Sequence, residues 1–335
     1  MATITGNIDP SSNSDGGGQT LQAENEPTKE ETTTNDKINK PTVHEFVQNF
    51  RLTKLIDPNE PWVLMDEGSF LGYFDWVPRE LRVGPWSVAA ICYLFAIPYA
   101  AVLAFMHFGQ HPWASIHHSK DILQYPAMGS PEWTYNLVIF FWIVYVNYLV
   151  IIGPLSYRAW ATYTVQSWTL LWIRHGLCVL APMAPWAVRW AEYIRFPMIC
   201  STTVTFVVWN VILMPVIYQV GMKTPEKKRD FLKFCFSFRL LQLHGFNIVY
   251  CLINVLWASP VRQLEILDLL AAIASVLVYM LFYLCCMDRL GIHFYPIFSP
   301  RIGWLVITSW TAAFLLYMGI FFGWVRIFQA AVEAK

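Results

Sequence analysis

The chain has 335 residues, of which 56% are hydrophobic and only 14% are charged, whereas soluble domains carry about 25% charged residues. Lys and Arg balance Asp and Glu, so the formal net charge is zero and nothing favours a nucleic-acid-binding surface. The composition excludes an ordinary soluble domain and predicts an all-α, multi-pass integral membrane protein whose main partner is the lipid bilayer.

The N-terminal part of the sequence is polar. Residues 1–42 are rich in Ser, Gly, Thr, Asn, Glu and Lys, and such a segment buries too little apolar surface to offset its ordering entropy. We therefore expect a disordered tail there. Aromatic and aliphatic residues return over residues 43–86, which indicates a juxtamembrane segment. The chain does not open with a basic cluster and a short apolar core, so no cleavable signal peptide is expected.

Seven apolar stretches follow, each near the length of about 20 residues that a helix needs to cross a bilayer. The third and fifth are the least hydrophobic, and their polar side chains are expected to face the interior of the bundle. If either is only half inserted, the count falls to six. The sequence thus predicts a transmembrane helix bundle of six to seven spans over residues 87–325, followed by a short C-terminal tail at 326–335. The predicted spans are 87–108, 134–156, 159–181, 198–221, 239–258, 264–287 and 302–325.

The distribution of Lys and Arg between the predicted loops gives the orientation. The basic run between Lys223 and Lys233 lies on the same side as the N-terminus and tips the balance. We therefore expect a cytosolic N-terminus. The membrane itself is left open between the endoplasmic reticulum and the plasma membrane.

Metal-binding and disulfide patterns are weak. The seven cysteines form no CxxC pair, which disfavours both a zinc site and a disulfide framework. Four histidines follow the first predicted span without an HExxH pattern or a nearby carboxylate, so an interfacial loop is the better interpretation. Neither a metal nor a cofactor is expected. These histidines are His107, His111, His117 and His118.

Polar side chains within the predicted spans are candidates for chemistry, because an unpartnered polar group is costly in a bilayer. A Thr or Ser hydroxyl beside a His is the minimal activated nucleophile. His244 in the fifth span, with Thr164 and Ser167 in the third, could form such a pair. The structural alternative is that these groups only bridge packed helices. Glu265 and Asp268 likewise could do acid–base work or could simply complement the dipole of the sixth helix.

Short motifs carry a family resemblance. The fifth span reads His-Gly-Phe-Asn at 244–247 and is followed by Pro-Val-Arg at 260–262 and by Tyr-Pro at 295–296. The third span contains Trp-Thr at 168–169. Over residues 87–325 this order resembles the rolling-stone and androgen-induced family of polytopic membrane proteins. The resemblance implies an intramembrane hydrolase of fatty-acid esters that uses a Thr nucleophile and a His.

The His of that family corresponds to His244, whereas Gln166 stands where the family has its Thr. The nearest hydroxyls are those of Thr164 and Ser167. Asn254 and Glu265 also depart from the family's acidic residue and second His.

Two functions therefore fit the sequence. The first is a hydrolase of lipid-like small molecules that uses His244 with Thr164 or Ser167. Asn247 would then orient the imidazole or donate to an oxyanion, and Arg174 or Arg262 would hold a fatty-acid carboxylate. The second is a non-catalytic membrane scaffold or a fusion-related protein. The sequence alone leaves both open.

Overall fold

The computed structural model describes residues 86–108, 123–153, 156–287, 295, 298–301 and 304–333. Within these ranges the chain is all-helical and contains no β-strand. The predicted N-terminal tail, nearly all of the juxtamembrane segment, and His111, His117 and His118 lie outside the described residues.

The helices are numbered here in chain order. Three of them contain or continue into π-helical turns, and the eighth does so over Tyr283–Met287. The fifth continues through π-helical turns to Gly221, and the seventh contains a π-helical turn of its own. The bounds are α1 Val88–Phe108, α2 Pro131–Ile151, α3 Tyr163–Leu180, α4 Pro185–Tyr193, α5 Arg195–Val207, α6 Pro225–Cys235, α7 Phe238–Leu256, α8 Ile266–Phe282 and α9 Trp304–Glu333.

Local capping explains where several helices begin. The hydroxyls of Ser130, Thr162 and Thr224 accept hydrogen bonds from backbone amides in the first turns of α2, α3 and α6, at 3.2, 3.3 and 3.3 Å. Such caps satisfy amides that have no partner inside the helix. Gly129 precedes the first cap with φ of +83°, a conformation that favours glycine. Short polar residues therefore set these boundaries.

Five helical stretches in the described part of the chain are long and apolar enough to cross a membrane. They make the protein a helical membrane protein. Helix α1 is apolar over a shorter stretch, Val88–Ala104, and α3 is not among the five stretches. Six or seven spans thus remain a prediction. Helix α9 continues to Glu333, beyond the predicted end of the last span at residue 325. The spans are Pro131–Ile151, Pro185–Gly221, Phe238–Leu256, Ile266–Cys286 and Leu305–Glu333.

The outer surfaces of these helices are apolar. Phe95, Val278 and Leu315 are exposed by 75%, 67% and 60% of their surface. Continuous exposed apolar surface of this kind is unfavourable in water and favourable against acyl chains. The exposed side chains therefore fit a lipid environment.

The core packs large apolar side chains from several helices around α5. Trp168 of α3, Phe196 of α5 and Phe328 of α9 have no exposed surface. Helices α2 and α3 approach closely at Gly176, where an added Cβ would lie 2.9 Å from the Phe140 ring. The absence of a side chain at Gly176 is what permits this contact.

Candidate functional site

Two π-helical turns face each other in the bundle. One, Val208–Leu213, extends α5, and the other, Gln242–Phe246, lies within α7. The Asn210 carboxamide joins them, donating at 2.9 Å to the Phe206 carbonyl and at 2.8 Å to the His244 carbonyl. Pro215 lacks an amide proton and follows the first turn, which disturbs the regular helical hydrogen bonds there. π-helical turns are rare in proteins overall, but those that occur are often found at functional sites. This junction is therefore the first candidate.

The His244 imidazole has two close neighbours at the junction. Its ring stacks on Trp209 with 4.3 Å between ring centroids and 21° between ring planes. The Thr205 backbone lies beside the edge of the ring. The His244 Nδ1 is buried and has no hydrogen-bond partner. In the tautomer that carries its proton on Nε2, Nδ1 has the lone pair that a general base requires.

The Thr205 hydroxyl differs from its neighbours on α5. Thr202 and Thr203 donate to backbone carbonyls three or four residues earlier, which is the usual arrangement of a helical Thr. The Thr205 Oγ1 is buried and has no partner. Thr205 therefore presents a free hydroxyl on the residue whose backbone lies beside the His244 ring.

This pair is chemically informative because buried polar groups are nearly always hydrogen-bonded, and each exception calls for an explanation. Thr205 Oγ1 and His244 Nδ1 are both exceptions, on neighbouring residues. Their environment has a low dielectric constant, which strengthens charge-stabilising contacts. The arrangement supplies a hydroxyl, a base and a protected site.

The two predicted nucleophiles lie elsewhere. Thr164 lies beside Tyr295 at the start of α3. The Ser167 Oγ, the Thr205 Oγ1 and the His244 Nδ1 are all buried without a partner, so neither hydroxyl is hydrogen-bonded to His244 Nδ1. Asn247 accepts a hydrogen bond from the Ile248 amide at 2.7 Å. Thr205 differs from Thr164 and Ser167 in that its backbone lies beside the His244 ring, although its hydroxyl is not bonded to the ring.

A second group of buried polar residues lies toward the other ends of α5 and α7. We call it the amide cluster: Asn136, Arg174, His175, Asn254 and Ser259. The Asn136 carboxamide nitrogen donates to the carbonyl of Ala258 at 2.7 Å, so its oxygen accepts from His175 Nδ1 and from Asn254 Nδ2, both at 2.8 Å. One asparagine therefore joins α2, α3 and α7.

Arg174 fills the centre of the amide cluster without a carboxylate of its own. Its Nε donates to the Asn254 carboxamide oxygen at 2.9 Å and its Nη2 to the Ser259 hydroxyl at 3.1 Å. Its Nη1 donates to the Ala191 carbonyl. The guanidinium is completely buried. Neutral acceptors from three segments thus stabilise this charge.

The ionic cluster adjoins it and consists of Glu192, Arg195, Arg262 and Asp268. The Glu192 carboxylate accepts from Arg195 Nη2 at 2.7 Å, from Arg262 Nε at 2.6 Å and from the Tyr125 hydroxyl at 2.5 Å. Arg262 also forms a two-pronged pair with Asp268, at 2.8 and 2.7 Å. Paired oxygens and nitrogens of this geometry are the strongest ion-pair arrangement in proteins.

Arg262, a member of the ionic cluster, and Tyr125, which donates to it, lie outside the spans and show the effect of the cluster on protonation. Burial opposes the charged form of Arg262, but the hydrogen bonds and charges of Asp268 and Glu192 outweigh it and raise the pKa of the guanidinium. Burial, then the Glu192 charge, raises the pKa of the Tyr125 phenol far above its ordinary value of 10.0. Arg262 stays charged and Tyr125 stays a hydrogen-bond donor.

The predicted binding residues Arg174 and Arg262 therefore belong to adjoining clusters, joined through α4. Nearly all of the Arg262 donors are already engaged within the protein. Glu265 and Asp268 form a reciprocal capping box at the start of α8. This capping fits the helix-dipole interpretation of the acidic pair.

Within the described ranges no three His, Cys, Asp or Glu side chains could hold a metal ion together. The seven cysteines are free.

Sequence reasoning missed Thr205, Glu192 and Arg195. Thr205 ends a hydroxyl-rich run that begins at Ser201. Its four-residue spacing to Trp209, which places both residues on one face of a helix, was the available signal. Glu192 and Arg195 stand three residues apart, which is ion-pair spacing on a helix, just before an apolar run.

No family model, curated protein or solved structure matches this chain. Its own geometry therefore carries the functional inference.

Proposed function

We propose that the protein is an intramembrane hydrolase of lipid esters in which His244 is the general base and Thr205 the nucleophile. One observation carries the proposal: two neighbouring residues have a buried imidazole nitrogen and a buried hydroxyl, neither of which has a hydrogen-bond partner. The resemblance to the rolling-stone and androgen-induced family supports the same chemistry, with Thr205 taking the role of the hydroxyl that Gln166 lacks.

The reaction begins when Thr205 Oγ1 attacks the carbonyl carbon of the ester and His244 Nδ1 takes the hydroxyl proton. The carbon–oxygen bond to the alcohol then breaks, and the alcohol leaves with the proton from His244. A water molecule, deprotonated by the same nitrogen, attacks the acyl-threonine. The bond between the acyl carbon and Thr205 Oγ1 breaks, His244 returns the proton to Oγ1, and the acid is released. The Trp209 ring and the Thr205 backbone lie beside the imidazole through these transfers.

Access from the bilayer favours a lipid-like substrate. Ile212, in the α5 turn, and Phe246, in the α7 turn, are exposed by 49% and 39% on the outer surface. The proposed reaction requires an ester to reach the junction from this side while its acyl chains stay in lipid. A low dielectric constant at the reaction centre strengthens each hydrogen bond to a developing oxyanion.

The test is turnover of a panel of lipid esters by the purified full-length protein in lipid nanodiscs. We expect His244→Gln and Thr205→Val to lower turnover by about 100-fold or more, as loss of a positioned base or nucleophile does. Thr169→Val is the matched control because the Thr169 hydroxyl donates to the Val165 carbonyl of its own helix at 2.8 Å.

Two further variants separate this assignment from the earlier candidates. Thr164→Val and Ser167→Ala should retain turnover when their melting temperatures match wild type. If Ser167→Ala abolishes turnover and Thr205→Val does not, Thr205 is not the nucleophile.

The second candidate is a non-catalytic scaffold, and the two buried clusters favour it. They join α2, α3, α4, α7 and α8 through side chains that have little exposed surface. Such a network fixes one arrangement of helices, as a docking platform needs. Absence of turnover by wild-type protein on every ester of the panel would favour this function.

A further inference from the structure

Helix α6 is amphipathic and basic, and it connects the end of the α5 span to the start of α7. Between Lys223 and Lys233 the chain carries five basic and two acidic residues. Phe231 and Cys235 are buried on the opposite face, against apolar residues that include Met222 and Trp209. The helix is therefore anchored by its apolar face, which leaves its basic residues at the membrane boundary.

A cavity of about 710 Å³ lies between this helix and the end of the α5 span, a volume in the range of roughly 300–1,000 Å³ typical of ligand sites. Four cationic side chains line it, and no acidic side chain does. The lining cations are Lys223, Lys228, Arg229 and Lys233, accompanied by the aromatic rings of Tyr218 and Phe236.

The cations of the cavity are poorly neutralised. Lys228 Nζ lies 5.1 Å from the centre of the Tyr218 ring, which positions the ammonium but leaves its charge. Lys233 pairs with Asp230 at 3.7 Å, and both side chains are more than half exposed. Elsewhere in the described chain no carboxylate forms an ion pair with Lys223, Lys228 or Arg229. The cavity therefore has an excess of positive charge that suits an anion.

Apolar side chains also line the cavity. Phe236 is exposed by 64%, and Leu232 belongs to the same lining. An anion bound among the cations would have this apolar surface beside it. The combination fits an amphipathic ligand with a phosphate head and acyl chains, more closely than a free phosphate.

We propose that this cavity binds the headgroup of an anionic phospholipid, with preference for headgroups that carry more than one phosphate. The phosphates contact Arg229, Lys228 and Lys233, and the acyl chains lie along Leu232 and Phe236. Basic clusters on amphipathic helices next to a span are recognised by such lipids through the same charges. The site is separate from the His244 junction and does not depend on hydrolase activity.

The test uses full-length protein in nanodiscs of neutral phosphatidylcholine. Dioctanoyl phosphatidylinositol 4,5-bisphosphate is titrated in, and binding is followed by the change in melting temperature and by native mass spectrometry. Dioctanoyl phosphatidylserine, dioctanoyl phosphatidylcholine, inositol trisphosphate and inorganic phosphate are the comparison ligands. We expect saturable binding in the order bisphosphate lipid, phosphatidylserine, phosphatidylcholine, with the two chain-free anions weaker than the bisphosphate lipid.

Substitutions of the lining cations, singly and in combination, locate the site. Arg229→Gln should weaken binding of the bisphosphate lipid about fivefold, and Lys228→Gln combined with it about 25-fold. Lys227→Gln is the matched control, because Lys227 is exposed on the same helix but does not line the cavity. Equal weakening by Lys227→Gln and Arg229→Gln would overturn the proposal in favour of diffuse surface charge. Equally tight binding of inositol trisphosphate or inorganic phosphate would overturn the lipid assignment.

Discussion

Substitution of Glu192 by Gln tests the ionic cluster in the simplest way. The change keeps the size of the side chain but removes the negative charge that lies between Arg195 and Arg262. Arg195 has no exposed surface and its Nη1 already lacks a partner. The substitution therefore leaves Arg195 buried with no counter-charge, while Arg262 keeps only Asp268.

Loss of one partner from a buried ion pair costs about 3–5 kcal/mol, since the remaining charge stays desolvated. We expect the free energy of unfolding to fall by this amount in a denaturation series in mixed detergent and SDS micelles. Asp230→Asn is the control: Asp230 and Lys233 have the same three-residue spacing but are 60% and 71% exposed. Such exposed pairs contribute about 0–1 kcal/mol. Equal unfolding free energies for the two variants would refute a stabilising role for the buried cluster.

Three further predictions concern packing and protonation. Asn136→Ala should destabilise the protein by about 2 kcal/mol or more, measured by the same denaturation series, because it leaves His175 Nδ1 without its acceptor. Gly176→Val should cost about 1–3 kcal/mol because its Cβ would meet the Phe140 ring at 2.9 Å; unchanged stability would show that α2 and α3 can separate there. Burial raises the pKa of the Cys235 thiol from 9.0 to about 11, so alkylation by iodoacetamide, followed by mass spectrometry, should be slow at pH 8 and accelerate toward pH 11. Alkylation at pH 8 as fast as that of free cysteine would contradict this pKa.

The sequence predicts the helical class and the interior position of the polar residues in α3 and α7. Arg174, His175 and Asn254 have no exposed surface, which confirms that these side chains face the interior. The reason is general: a polar group in an apolar run has a favourable position only where other helices supply partners.

Helix boundaries were harder to predict because polar residues set several of them. Helix α2 begins at Pro131, three residues before the predicted span, because Ser130 caps it. Helix α5 begins at Arg195, before the predicted start of the span at residue 198. Glu192 neutralises the charge of Arg195, so this residue is tolerated next to an apolar run. Hydropathy alone does not register a cap or an ion pair.

The site depended on long-range contacts that spacing does not show. Arg262 meets Glu192 from 70 residues away along the chain. Thr205 lies in a run of hydroxyl residues that reads as ordinary helix packing, and only its missing hydrogen bond sets it apart. The π-helical turns that place Trp209 over His244 also have no pattern that a regular helical period reveals.

The most direct test of the proposed hydrolase is to trap its nucleophile. Full-length protein in nanodiscs is treated with a lipid-like fluorophosphonate, which forms a stable adduct with an activated hydroxyl, and the modified residue is located by peptide mass spectrometry. We predict an adduct on Thr205 that is lost in His244→Gln while the melting temperature is retained. An adduct on Ser167 or Thr164, or no adduct on the wild-type protein, would contradict the assignment of Thr205 and His244 as a catalytic pair.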